Sequence, residues 1–162
     1  GYEVAIKTSL ADLPVVGSYL GDLALTTGFA EQETAKITNT SDRREATAAL
    51  TGSFGNFKFG YQKDFVDAGQ TAALTDAVFY KIEQIGLAYA INDALSISYN
   101  TMEQSQHNVR GDGTVEQDTN AINIGYTVGG MTIGFQDAST DHANMVKDAK
   151  DDVRSLSISV AF

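Results

Sequence analysis

Ser155-Leu156-Ser157-Ile158-Ser159-Val160-Ala161-Phe162 alternates apolar with small residues up to the last position. A period of two sends every second side chain to the same face of an extended strand, whereas a helix repeats near 3.6. Leu156, Ile158, Val160 and Phe162 form one face; Ser157, Ser159 and Ala161 form the other.

The same alternation recurs upstream. Met131, Ile133 and Phe135 share a face, as do Ile122, Ile124, Tyr126 and Val128. So do Leu95, Ile97 and Tyr99, and Ile85, Leu87, Tyr89 and Ile91. Phe57, Phe59 and Tyr61 follow, then Ala46, Ala48, Leu50 and Phe54. Leu23, Leu25, Thr27 and Phe29, and finally Tyr2, Val4 and Ile6, complete nine expected strands with no expected helix.

Three connections are tight: Phe54-Gly55-Asn56-Phe57, Ile91-Asn92-Asp93-Ala94 and Val128-Gly129-Gly130-Met131. Their Gly, Asn and Asp tolerate the positive φ of hairpin turns. The others are long and polar, roughly residues 32–43, 63–77, 103–119 and 137–152. The stretch around Leu13-Pro14-Val15-Val16 falls where a tight turn belongs and is too long for one. Short turns at one end and long loops at the other define an up-and-down antiparallel meander, the plan of a transmembrane β-barrel.

The polar face separates a membrane sheet from a soluble one. Its mid-strand positions are mostly Ser, Thr, Asn, Gly, Ala and Gln, and the charges are expected in the long loops, Asp141, Lys147, Asp148, Lys150, Asp151 and Asp152 among them. A wall that crosses about 25 Å of hydrocarbon on one face accounts for this segregation. Aromatics are expected at two levels on the apolar face: Phe54, Phe57, Tyr89 and Tyr126 near the tight turns, and Tyr61, Tyr80 and Tyr99 toward the loops. Such levels match interfacial girdles, although Tyr and Phe favour any strand. A soluble sandwich or barrel shares the alternation and stays open as a third reading.

Composition narrows the chemistry. The chain has 162 residues, no Cys and a formal net charge of -10. Cysteine-ligated metal and cysteine nucleophiles are excluded, and nucleic acid, which needs a basic footprint, is not an expected partner. His107 and His142 are both expected in long loops, without a Ser/His/Asp set or an HExxH run. No catalytic residue, cofactor or metal site is expected.

The terminal strand resembles the C-terminal signature of outer-membrane β-barrel proteins, a final Phe preceded by alternating apolar residues. The runs Gly125-Tyr126-Thr127-Val128-Gly129-Gly130-Met131-Thr132-Ile133-Gly134-Phe135 and Leu87 to Tyr99 resemble hairpins near the C-terminus of Gram-negative general porins, the alphaproteobacterial branch above all. The likeness is one of pattern and covers roughly residues 43–162. It implies an integral outer-membrane protein with extracellular long loops and periplasmic turns, surrounded by membrane lipids and lipopolysaccharide. It also implies a water-filled channel for passive diffusion of small hydrophilic solutes and ions, a homotrimer, and recognition of the last strand by the barrel-assembly machinery.

Residues 1–162 read as one β-barrel domain or as the C-terminal half of one. A bacterial barrel has an even number of strands, and its interior is filled by side chains at about eight strands but open at 16–18. Nine strands with small inward residues point to part of a 16-stranded porin barrel. The alternative is a small complete barrel with a structural or surface-binding role through its acidic loops. Candidate pore-lining residues are Lys58, Glu3, Lys7, Gln62, Ser96, Ser98, Asn100, Asn123, Thr127, Thr132 and Gln136. Lys58, Glu3 and Lys7 would tune ion passage, since charge lining a pore sets its potential; a solvated side chain at a rim is the plainer account. Lipid-facing or girdle candidates are Phe54, Phe57, Tyr61, Tyr89, Tyr99, Tyr126 and Phe162. Arg43 and Arg44 are expected where a loop enters a strand. Arg110-Gly111-Asp112 reads as a turn, and the acidic groups Asp112, Glu116, Asp118 and Asp148, Asp151, Asp152 read as solvated loop residues.

Overall fold

The computed structural model describes residues 1–9, 22–33, 41–69, 77–108 and 115–161. They form nine strands: β1 (Tyr2–Ser9), β2 (Ala24–Gln32), β3 (Arg43–Phe54), β4 (Phe57–Asp67), β5 (Ala77–Ala90), β6 (Leu95–Asn108), β7 (Val115–Val128), β8 (Met131–Asp141) and β9 (Lys150–Val160). All nine expected strands are present. Each pairs antiparallel with its sequence neighbour, giving one meandering sheet in the order β1 to β9. β1 and β9 each have one strand partner and do not pair with each other, so the sheet is not closed. No helix among the described residues is long and apolar enough to cross a membrane.

The turns follow their sequences. Gly129 and Gly130 both take positive φ, 54° and 82°, as a two-residue type I′ hairpin requires. In the Phe54–Phe57 turn Gly55 has φ 57°. The β5–β6 connection uses a side chain instead: Asn92 Oδ1 accepts from the backbone N–H groups of Ala94 and Leu95, both at 2.9 Å. The stretch around Pro14 and the Arg110-Gly111-Asp112 tripeptide lie outside the described residues.

The strands run further than the apolar alternation, and three expected loops shrink accordingly. β4 continues to Asp67, β6 to Asn108 and β8 to Asp141, while β9 begins at Lys150. Charges expected in loops therefore stand on strands. The extensions carry polar cross-strand pairs: Lys63 with Glu83, Lys150 with Asp141 at 2.7 Å, Arg154 with Asp137 at 2.7 Å, and the Thr119 and Thr140 hydroxyls at 3.1 Å. His107 is likewise in β6, its ring stacked on Phe79 at 4.4 Å between centroids. His142 does lie in a connection, with Nδ1 2.9 Å from the Glu116 carbonyl oxygen.

The described residues form a single-layered sheet, with no second layer among them to make a core. Among the described residues only Ala143 is a buried hydrophobic, and no large side chain is fully buried.

Candidate functional site

The pairing register sorts every described strand residue to one of two faces. One row on the polar face runs Lys7, Thr26, Ala49, Gln62, Gln84, Met102, Thr119, Thr140 and Asp151. A second, nearer the tight turns, runs Ser53, Lys58, Ala88, Ser98, Asn123, Gln136 and Ser155. Glu3, Ser96, Asn100, Thr127 and Thr132 share this face. All eleven pore-lining candidates thus stand on one side of the sheet.

The short side chains among them include two pairs that lie within bonding distance of each other. Thr127 and Thr132 hydroxyls lie 3.0 Å apart, and Asn123 Nδ2 donates to Ser98 Oγ at 3.4 Å. Gly125 faces Gly134 and Gly60 faces Gly86 across the ladder. A Cβ added at Gly134 would stand 2.6 Å from Ser157 Oγ, so a larger residue there would make the Ser157 hydroxyl turn away.

The opposite face carries Phe54, Phe57, Tyr61, Tyr89, Tyr99 and Tyr126; Phe162 is outside the described residues. This face is apolar and uncovered. Phe54 is 86 % exposed, Leu156 69 % and Ile158 63 %. Tyr80 departs from expectation: it pairs with Val66 and falls on the polar face. Tyr61 and Tyr99 lie within their strands, the Tyr99 hydroxyl donating to Asn120 Oδ1 at 2.7 Å.

The apolar surface crosses the sheet obliquely. Among the described residues it reaches turn-ward to Ile6 on β1 and to Val160 on β9. The ladder row through Ile6 passes Thr27, Ala48, Lys63, Glu83, Glu103, Asp118 and Asp141 and meets β9 at Lys150. Val160 lies ten positions beyond Lys150, so the apolar band shifts by ten residues over eight strand-to-strand steps. The charged residues of the apolar face lie on the loop side of this slanted band.

Charges on the polar face are unevenly distributed. Among described strand residues they are Glu3, Lys7, Arg43, Glu45, Lys58, Asp64 and Asp151; β5 through β8 contribute none. Arg43 is held 2.6 Å from Glu45, while Arg44 points to the other face and pairs with Glu31 at 3.0 Å. Both Asp64 oxygens accept from Gln62 Nε2, at 3.0 and 2.9 Å. Asp151 and Asp152 fall on opposite faces, and no group of three His, Asp or Glu among the described residues could hold a metal ion. Asp112 is outside the described residues.

Sequence reading missed the charged row from Lys63 through Glu83, Glu103, Asp118 and Asp141 to Lys150, and the Phe65, Phe79 and His107 cluster at the loop end. Only the cross-strand register brings those residues together. The chain matches no protein-family model, no curated protein and no solved structure.

Proposed function

We propose that this sheet is part of the wall of an outer-membrane β-barrel and lines a water-filled pore for passive diffusion of small hydrophilic solutes and ions. The observation that carries the reading is the pairing of two unlike faces on one uncovered layer. Exposed apolar surface this continuous is not stable in water. Each Leu, Ile or Val that leaves water gains about 1.5–3 kcal/mol, and a hydrocarbon layer supplies that environment along the whole face. The other face, small and hydrogen-bonding, suits an aqueous lumen.

The slant of the band supports the same reading. At ~3.3 Å per residue and ~4.8 Å between strands, ten residues over eight steps correspond to strands inclined by about 40° to the normal of the band. Strands of transmembrane barrels tilt by roughly 35–45°. Backbone polarity is met by lateral pairing, as hydrocarbon demands.

The two outer strands, β1 and β9, run in the same direction. Antiparallel closure therefore takes an odd number of further strands, and seven would make the sixteen of the porins that the sequence resembles. In the proposed setting the tight turns are periplasmic, the loop ends extracellular, the surroundings lipid and lipopolysaccharide, and the assembly a homotrimer. The wall acts by shape and charge, without a catalytic step.

The test is conductance. Native protein extracted in detergent and added to a planar lipid bilayer is expected to give stepwise, ohmic current increments in 1 M KCl. Stable membrane insertion without conductance would refute the pore and leave a structural or surface-binding barrel.

A further inference from the structure

The polar-face charges are ordered along the strands. On β1, Glu3 is four positions nearer the loop end than Lys7; on β4, Asp64 is six positions nearer it than Lys58. Arg43 and Glu45 offset each other through their 2.6 Å contact. Glu3 and Asp64 are left as acidic charge near the loop end of these strands, joined by Asp151 on β9; Lys7 and Lys58 are the basic charge toward the turns, where the Asp22 carboxylate, accepting from Ser53 Oγ at 2.7 Å beside Lys58, offsets one of the two. Neither lysine makes an ion pair among the described residues.

The slant of the apolar band brings the two lysines to one level. The row of Lys7 crosses β4 at Gln62, and Lys58 is four positions turn-ward of Gln62. Over the three steps from β1 to β4, a shift of ten residues per eight steps lowers the level by about four residues. Lys7 and Lys58 therefore stand at the same height in the slab that the apolar face defines. The separation of four to six residues within each strand puts the acidic level about 10–15 Å away along the normal. That is comparable to the Debye length of about 10 Å at 0.1 M salt and several times the 3 Å at 1 M, so the field of each level reaches into the pore at low salt and is screened at high salt.

We infer that this wall is electrically polarised along the pore, with a basic level formed by Lys7 and Lys58 on the turn side and an acidic level formed by Glu3 and Asp64 on the loop side, and that it makes ion flow direction-dependent at low salt. The inference rests on the pore reading. A pore with opposite charge at its two ends accumulates mobile ions under one voltage sign and is depleted of them under the other. β5 through β8 add no charge to oppose the gradient.

The experiment is single-channel current against voltage for the native protein in 0.1 M and 1 M KCl. The currents at opposite voltages of equal size are expected to differ about twofold at 0.1 M and to converge at 1 M. The double variants Lys7→Gln/Lys58→Gln and Glu3→Gln/Asp64→Asn, all at exposed or half-buried positions, should each bring the low-salt ratio toward one. A linear response in 0.1 M KCl, or a ratio unchanged in both double variants, overturns the polarity while the pore stands. Absence of any channel in the parent protein overturns the pore itself.

Discussion

Ile124→Arg is expected to abolish most membrane assembly of the chain, while Asn123→Arg, one position away, leaves it largely intact. Ile124 lies on the apolar face between Ile97 and Phe135 in the ladder, in the middle of the slanted band. An Arg facing lipid near the midplane costs ~2–4 kcal/mol, a large fraction of the stability of a domain. Asn123 lies on the polar face between Ser98 and Gln136, where a long cationic side chain extends into water. Leu95→Arg should fall between them, because Leu95 opposes Tyr126 beside the β5–β6 turn, and the cost fades to about 0–1 kcal/mol near an interface. The folded, heat-modifiable fraction in isolated membranes measures all three. If Asn123→Arg is the most damaging, the two faces are reversed.

The second large effect is expected at the β7–β8 turn. Replacing Gly129 and Gly130 together by Val should destabilise the protein by ~2–4 kcal/mol, read as a lower midpoint of urea unfolding in detergent. Both residues have positive φ, a region costing an ordinary L-residue roughly 1–2 kcal/mol and a β-branched one more. The penalty at Gly129 is purely conformational, since a Cβ there meets nothing within 4 Å. At Gly130 the Cβ also comes within 3.3 Å of the Ala161 carbonyl oxygen, beside the 2.8 Å bond from Ala161 N–H to Gly130 O. Gly129→Asn should be nearly neutral, because Asn tolerates this conformation. A valine pair as stable as the parent would show that the turn is not held as a type I′ hairpin.

Alternation makes a strand legible only while its two faces meet different surroundings. Leu156 to Val160 and Ile122 to Val128 satisfy that condition, so strand identity and facing could be read from sequence. Beyond Tyr61 on β4 or Tyr99 on β6 charged and polar residues enter both faces, the period disappears, and Lys63 to Asp67 or Glu103 to His107 look like loop although they are paired strand. Tyr80 was legible in principle: it has the opposite parity to Ile85 and Leu87, and reading it as a girdle residue follows its aromatic character instead of its position.

The slant of the band could not be seen in one dimension. It depends on which residue of β1 shares a row with which residue of β9, a long-range register that local periodicity does not encode. The same holds for the common level of Lys7 and Lys58, which are 51 positions apart in the chain. Parity along one strand groups side chains by face, whereas their mutual arrangement across the sheet needs the register.

The most direct test of the two-faced wall is single-cysteine scanning through residues 120–128 of β7 in the assembled native protein, where these 162 residues contribute no cysteine of their own. Cysteines at Asn123, Gly125 and Thr127 should react with a small water-soluble thiol reagent. Cysteines at Ile122, Ile124 and Tyr126 should resist it, and fluorophores attached there before assembly should be quenched by labelled lipid tails. Equal reactivity at all positions, or the inverse pattern, would contradict a wall with lipid on one face and water on the other.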